Sequence, residues 1–264
     1  MRADLETDFF APPRPRLIAH RGASGEHPEN TMASFRAAAE AGAPYFELDV
    51  RMTRDGVVVL GHDADLNRIC GVESLISELT FDELRRADAG WGFDPGLSRK
   101  FPFRGQGLRV PSLEEVFASF PDRHYIVEIK QTEPSVVAPM IDVIERAGMR
   151  RRVLIASEHQ EPIDEARSLA PNLPTGFPYG EIAGFMMSLA PGAEPFAPRG
   201  EALQVPPEYE SWRIVTAESM AAAHRMGVEV HVWTVNEVSE MRSLLELGVD
   251  GILTDYPARL AALL

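Results

Sequence analysis

Hydrophobic and polar positions alternate most clearly over residues 46–50. Phe46, Leu48 and Val50 take one side of an extended chain and Glu47 and Asp49 the other, because side chains two apart in a strand share a face. Two carboxylates therefore converge on one spot. The turn Thr53-Arg54-Asp55-Gly56 leads into a second β-rich run, residues 57–60, which ends at Gly61-His62-Asp63. A parallel crossover needs about a dozen residues, more than this connection has. The second run is therefore expected to fold back as an antiparallel arm that carries His62 toward Glu47 and Asp49.

The rest of the pattern reads as strand and helix in turn. Residues 16–20 form an apolar strand that stops at the glycine-bearing loop 21–25; a helix opened by Asn30 or Thr31 runs through Phe35 and Ala39 and closes at Gly42. After the arm, residues 64–110 read as an irregular insertion, a lid or a disordered loop, with Thr80 capping a short helix at 81–87 and a Gly-, Pro- and aromatic-rich stretch at 90–108. A helix follows at 112–119. Further strands are expected at 125–130, 153–157, 175–178, 202–205, 228–235 and 251–254, with helices at 134–147, 161–169, 182–188, 217–226 and 238–247.

Leaving out the arm, this makes eight parallel strands. The predicted fold class is α/β, a (β/α)8 TIM barrel with a β-hairpin arm and a long insertion after the second strand, occupying residues 16–264 as one catalytic domain. An open doubly wound sheet is the competing architecture, but no GxGxxG follows the first strand. Residues 1–15, rich in proline, read as a flexible lead-in.

Composition narrows the function classes. A formal charge of −14 argues against a nucleic-acid partner or an anionic membrane surface, both of which rely on basic patches. No apolar run is long enough to span a bilayer, so no stable membrane insertion is expected. The single cysteine, Cys70, excludes an internal disulfide and suits a cytoplasmic protein; it reads as a small buried or half-exposed residue rather than a nucleophile. Nothing in the sequence specifies an oligomeric state.

Candidate chemistry gathers where barrel enzymes keep it, at the C-terminal ends of strands. His20 and Arg21 end the first strand, Glu47 and Asp49 the second, and Glu128 and Lys130 the third, while His62 closes the arm. Three carboxylates without a cation would repel and shift toward protonation. A hard divalent ion, Ca²⁺ or Mg²⁺, resolves that conflict with oxygen ligands; zinc would more usually draw in His or Cys.

Several segments together resemble the glycerophosphodiester phosphodiesterase family: HRGASG from His20, PENT from Pro28, FELDVRMTRDG from Phe46, GHDADLNRICG from Gly61, EIK from Glu128, VWTVN from Val232 and GILTDYP from Gly251. They follow the family's order across residues 17–257. The resemblance implies a metal held by Glu47, Asp49 and Glu128, an acid–base pair His20 and His62, and Arg21 and Lys130 on the substrate phosphate. The implied reaction is metal-dependent hydrolysis of a small-molecule glycerophosphodiester to an alcohol and glycerol 3-phosphate, with water or the neighbouring glycerol hydroxyl as nucleophile. Ser157-Glu158 stands where the family often has Ser-Phe, and His27 where a small or apolar residue is commoner.

Other residues are read with two alternatives. Trp233 packs the core or walls the glycerol moiety; Gln204 hydrogen-bonds a substrate hydroxyl or serves as a structural amide. Asn236 and Asp255 read as loop caps, and His124, His159, His224 and His231 show no carboxylate partner in the sequence. Two other functions compete with the leading one. One is a lysophospholipase D-type enzyme whose aromatic loop, Trp91 to Phe103, and helix near Phe185 meet an acyl chain. The other is a non-catalytic barrel that binds phosphorylated ligands.

Overall fold

In the computed structural model, which describes residues 5, 7–96, 99–210 and 212–264, seven parallel strands curl into one sheet. Their order is Val153–Ala156, His124–Ile129, Tyr45–Met52, Arg16–His20, Gly251–Thr254, Glu229–Val232 and Ala202–Val205. The eighth position is held by two isolated parallel bridges, Ile155 to Thr175 and Gly176 to Ala202, and these close the ring into a TIM barrel. The strand expected at 175–178 is cut to those bridges for local reasons. Pro174 and Pro178 bracket it without N–H donors. At Gly176 an added Cβ would lie 2.5 Å from Gln204 Oε1.

The two-residue period sorts side chains into layers. Apolar residues on the outer faces of the strands pack against the surrounding helices through Phe35, Val116, Ile141, Ile163, Met220 and Leu244. Inside the ring, Ile18, Tyr45, Ile126, Leu154, Ala202 and Leu253 form a second apolar cluster. Two residues further along the same strands come His20, Glu47 and Glu128, and two further still Asp49 and Lys130. The polar mouth thus rests on a dry floor.

The arm Val58–Leu60 pairs antiparallel with Val50–Met52, as the short turn requires. Helix starts follow their caps: Thr31 with Ser34, Thr80 with Glu83, Ser112 with Glu115 and Thr216 with Ser219 each form a reciprocal capping box. Thr80 opens only a short helix, Phe81–Leu84.

The insertion is more ordered than its glycine and proline content suggested. Asp65–Leu66 pairs with Val72–Leu75, and Val59, Leu66, Cys70, Ile76, Leu84 and Val110 make a small core of their own. Burial, then the charge of Asp88, pushes the Cys70 thiol up to about 12, which makes it a poor nucleophile. Residues 97 and 98 lie outside the described residues.

At the other end of the barrel, the segment read as a flexible lead-in is anchored from residue 7. Phe9 is fully buried, its ring 5.1 Å from that of Tyr45, and the Asp8 N–H donates to the Arg151 carbonyl at 2.7 Å. Residues 1–4 and 6 of that lead-in lie outside the described residues. Beneath the floor, Arg16 is 1% exposed and donates through Nε and Nη2 to Glu229 at 2.7 Å each. His231 Nε2 is 3.0 Å from Glu229 Oε2, and His224 Nε2 is 2.7 Å from Asp250 Oδ2. Both histidines therefore do have carboxylate partners, at the end of the barrel away from the mouth.

Candidate active site

Strand register sets the site. His20 lies opposite Glu47, and Asp49 opposite Glu128, on three adjacent strands. Candidate ligand oxygens of Glu47, Asp49 and Glu128 lie within 4.8 Å of one another. Glu47 Oε1 and Asp49 Oδ1 are buried with no hydrogen-bond partner.

Such an arrangement is electrostatically frustrated. Burial, followed by the charge of Asp49, pushes the Glu47 carboxyl up to about 8. The same two causes raise Glu128. Burial works against the Asp49 carboxylate as well, but Arg21 and Lys130 outweigh it and hold this group below the usual range. Orphaned, mutually repelling carboxylate oxygens are the donor set a hard divalent cation takes, so the residues fit Ca²⁺ or Mg²⁺.

The loop after the first strand aims these acids. Arg21 N–H donates to Glu47 Oε2 at 3.0 Å, and Asn30 Nδ2–H donates to Asp49 Oδ2 at 2.8 Å. Arg21 and Asn30 both adopt left-handed backbone, φ 56° and 54°, a cost that clusters at working sites. Between them Gly22 has φ 84°, and a Cβ there would meet the Ser34 carbonyl carbon at 2.6 Å.

Two cations reach the same place. Arg21 Nε is 3.0 Å from Asp49 Oδ2 but not aligned for a hydrogen bond, so the contact is an ion pair with the donor still unused. Its Nη1 donates to Glu29 Oε1 at 3.1 Å. Lys130 Nζ donates to Glu128 Oε1 at 2.6 Å and stands 3.8 Å from both Asp49 and Glu158.

Each candidate histidine is held through Nδ1 by a carboxylate. His20 Nδ1 is 2.7 Å from Asp255 Oδ1, and Asp255 also accepts from Ser24 Oγ and Asn236 Nδ2, both at 2.7 Å. His62 Nδ1 is 2.8 Å from Asp63 Oδ1, and Arg68 Nε donates to the other oxygen of Asp63 at 2.7 Å. Burial opposes charge on His20, yet the Asp255 bond and the Glu47 carboxylate raise its pKa. Asp255 and Asp63 both fall to about 2. Burial opposes this in each, outweighed by the His20 bond in the first and by the Arg68 and His62 bonds in the second.

Asp255 and Asn236 are thus more than the loop caps expected of them. The sequence signal was the GILTDYP segment itself, but nothing in it says that Asp255 faces a histidine 235 positions away.

His20, His62, Arg21, Glu47, Glu128 and Lys130 line a single cavity of about 150 Å³, with Asp49 behind them against the strand wall. Trp233 and Gln204 also line it. The aromatic loop expected beside an acyl chain stands elsewhere. Trp91 stacks with Arg104 at 4.3 Å, and Phe103 packs against His27 at 5.3 Å, outside the lining of this cavity.

A barrel with these groups at the C-terminal mouth of its strands is built as a phosphodiester hydrolase. Comparison with known proteins agrees. Residues 20–259 match the profile of the glycerophosphoryl diester phosphodiesterase family. A glycerophosphodiester phosphodiesterase of Caldanaerobacter subterraneus subsp. tengcongensis is 33% identical over 251 residues, 92% of this chain and 95% of that one. A solved structure, a putative glycerophosphoryl diester phosphodiesterase from Silicibacter pomeroyi, superposes with a TM-score of 0.76 at 30% identity, covering 94% of this chain and 93% of that one. An Oleispira antarctica phosphodiesterase, solved with the product sn-glycerol-3-phosphate, shares the fold at a TM-score of 0.76 and 24% identity, covering 94% of this chain and 96% of that one. The chain belongs to the glycerophosphoryl diester phosphodiesterase family. Among the described residues no helix is long and apolar enough to cross a membrane.

Proposed function

We propose that this chain hydrolyses glycerophosphodiesters to an alcohol and glycerol 3-phosphate, with Glu47, Asp49 and Glu128 holding one divalent cation. The observation that carries the reading is the meeting, around one small cavity, of three crowded carboxylates, two of them with a buried oxygen that has no partner, with two histidines that are each backed by a carboxylate. When bound, a Ca²⁺ or Mg²⁺ ion polarises a phosphoryl oxygen and neutralises the triad.

The chain's own groups do the rest. Arg21, with Nε unused, and Lys130 meet the non-bridging oxygens of the phosphate, where charge grows in the transition state. His62, held by Asp63, accepts the proton of the attacking oxygen at Nε2. His20 is the better placed donor: its Nδ1 bond to Asp255 is reinforced by Ser24 and Asn236, and its ring is the more buried of the two, at 16% against 34% exposed. It gives its Nε2 proton to the departing alcohol oxygen as the phosphorus–oxygen bond breaks. Trp233 and Gln204 contact the organic part of the substrate. Cytoplasmic operation, consistent with a lone buried thiol, belongs to the same proposal.

The direct test is release of glycerol 3-phosphate from glycerophosphocholine, lost on chelation and restored by Ca²⁺ or Mg²⁺. Replacing His20 by Ala should cost about 100- to 10,000-fold in kcat. A diester with a nitrophenol leaving group, which needs no proton, should recover most of that loss in His20→Ala but none in His62→Ala. Turnover indifferent to EDTA and to both substitutions would rule the proposal out.

A further inference from the structure

The insertion takes no part in the chemistry described so far, yet one of its side chains reaches the edge of the site. Arg68 lies on the short helix Asn67–Cys70, outside the lining of the catalytic cavity. All three nitrogens of its guanidinium donate: Nη1 and Nη2 meet Glu29 Oε2 and Oε1 end-on at 2.7 and 2.9 Å, and Nε meets Asp63 Oδ2 at 2.7 Å. Asp63 holds His62 Nδ1 through its other oxygen, while Glu29 Oε1 also accepts from Arg21 Nη1 at 3.1 Å. One planar cation thus ties the partner of His62 to the partner of Arg21.

Two glycines seat the helix that carries it. Gly71, φ 68°, closes that helix, and a Cβ there would meet the Trp91 indole at 2.7 Å. At Gly92 a Cβ would lie 2.0 Å from the Arg68 carbonyl oxygen, and the Gly92 N–H donates to the Ile69 carbonyl at 3.0 Å. The start of the aromatic stretch expected beside an acyl chain therefore packs on the helix of Arg68.

Stability gives this arrangement little reason, because Arg68 is 49% exposed and ion pairs in contact with water contribute little. What a guanidinium braced on one carboxylate supplies to a second is direction: its planar fork sets the rotation of Asp63, and Asp63 sets that of the imidazole. His62 closes a short arm and is the more exposed of the two histidines, so it depends more on such a hold. Arg51 fixes its backbone, donating through Nε and Nη2 to the His62 carbonyl at 3.1 and 2.7 Å. The side chain is left to Asp63 and Arg68.

We propose that Arg68 is a positioning residue for the hydrolysis: anchored on Glu29, it fixes Asp63 and, through Asp63, the direction in which His62 Nε2 faces the phosphate. The inference rests on the phosphodiesterase reading and adds a residue of the insertion to it. Without the guanidinium, Asp63 is free to turn away from the imidazole, and the proton transfer at His62 loses its alignment.

The test is a double-mutant cycle on the glycerophosphodiester of nitrophenol, whose cleavage is followed by absorbance. Arg68→Ala should lower kcat about 10- to 100-fold with KM nearly unchanged. In a His62→Ala background the same substitution should cost less than about twofold, and in His20→Ala the full amount, because residues that act as one unit are not additive and independent ones are. Arg68→Lys keeps the charge and guards against a folding loss. One ammonium cannot meet both carboxylates in the planar arrangement, so this variant should still lose about fivefold or more in the wild-type background and nothing in His62→Ala. Equal losses in all three backgrounds would make Arg68 a structural brace, and a raised KM at unchanged kcat would put it on the substrate. Either result overturns the inference alone, as does wild-type kcat in both variants. A wild-type chain that cleaves no diester with Ca²⁺ or Mg²⁺ supplied overturns the phosphodiesterase reading as well.

Discussion

Asp255 is the residue on which the orientation of His20 depends. It sits just past the last barrel strand, takes hydrogen bonds from Ser24 and Asn236, and fixes Nδ1 of the histidine so that Nε2 faces the cavity. Asp255→Asn keeps the shape and removes the charge. It should lower kcat about 10- to 100-fold with KM nearly unchanged, as losses of an orienting carboxylate do; steady-state kinetics on glycerophosphocholine checks this, and equal changes in KM would place Asp255 on the substrate instead. At the same scale, Glu47, Asp49, Glu128 and Lys130 were legible as a group because they lie in short motifs whose strand spacing puts Glu47 beside Asp49 and Glu128 beside Lys130. The partners Asp255 and Asp63 were not assigned, because hydrogen bonding across the barrel mouth leaves no periodic trace in the sequence.

Elements were legible where periodicity and caps agreed. The strands that carry the site and the helix opened by Thr31 fell where their patterns put them. Two elements departed for physical reasons. Prolines and the close approach at Gly176 reduce the fifth barrel strand to two bridges, and the insertion builds a core from residues too scattered for any period to show. The turn after the first strand is the element most exposed to error, since Gly22 combines φ 84° with backbone contact at 2.6 Å. Gly22→Ala should therefore destabilise the fold by about 1–3 kcal/mol, read by denaturant unfolding. It should also lower activity beyond what that loss explains, because Arg21 and Asn30 flank the strained turn. Unchanged stability would mean that the turn relaxes freely.

The whole molecule divides its labour between the two ends of the barrel. The upper layer is charged and under-satisfied, while the lower end is closed by the buried Arg16–Glu229 pair and by Phe9. Phe9→Ala should cost about 3–5 kcal/mol of stability and leave kcat intact at temperatures where the variant is folded. Acid should weaken this same end. Burial opposes the charge on Glu229, but its bonds from Arg16 and His231 bring its pKa to about 2, below the 4.5 of an ordinary glutamate. A depressed carboxylate stabilises the fold above the ordinary value, and that contribution disappears as pH falls from about 4.5 toward 2. Unfolding midpoints across that window should drop more steeply in the wild-type chain than in Glu229→Gln. Parallel curves would remove Glu229 from the acid response.

At this largest scale everything turns on whether the mouth of the barrel accepts one divalent ion between three acids. Calorimetric titration of the chelator-treated protein with CaCl₂ and with MgCl₂ measures that directly. Binding of one ion per chain, abolished by Asp49→Asn and weakened by Glu47→Gln, is the predicted result; no binding, or binding that both substitutions leave untouched, would contradict the account.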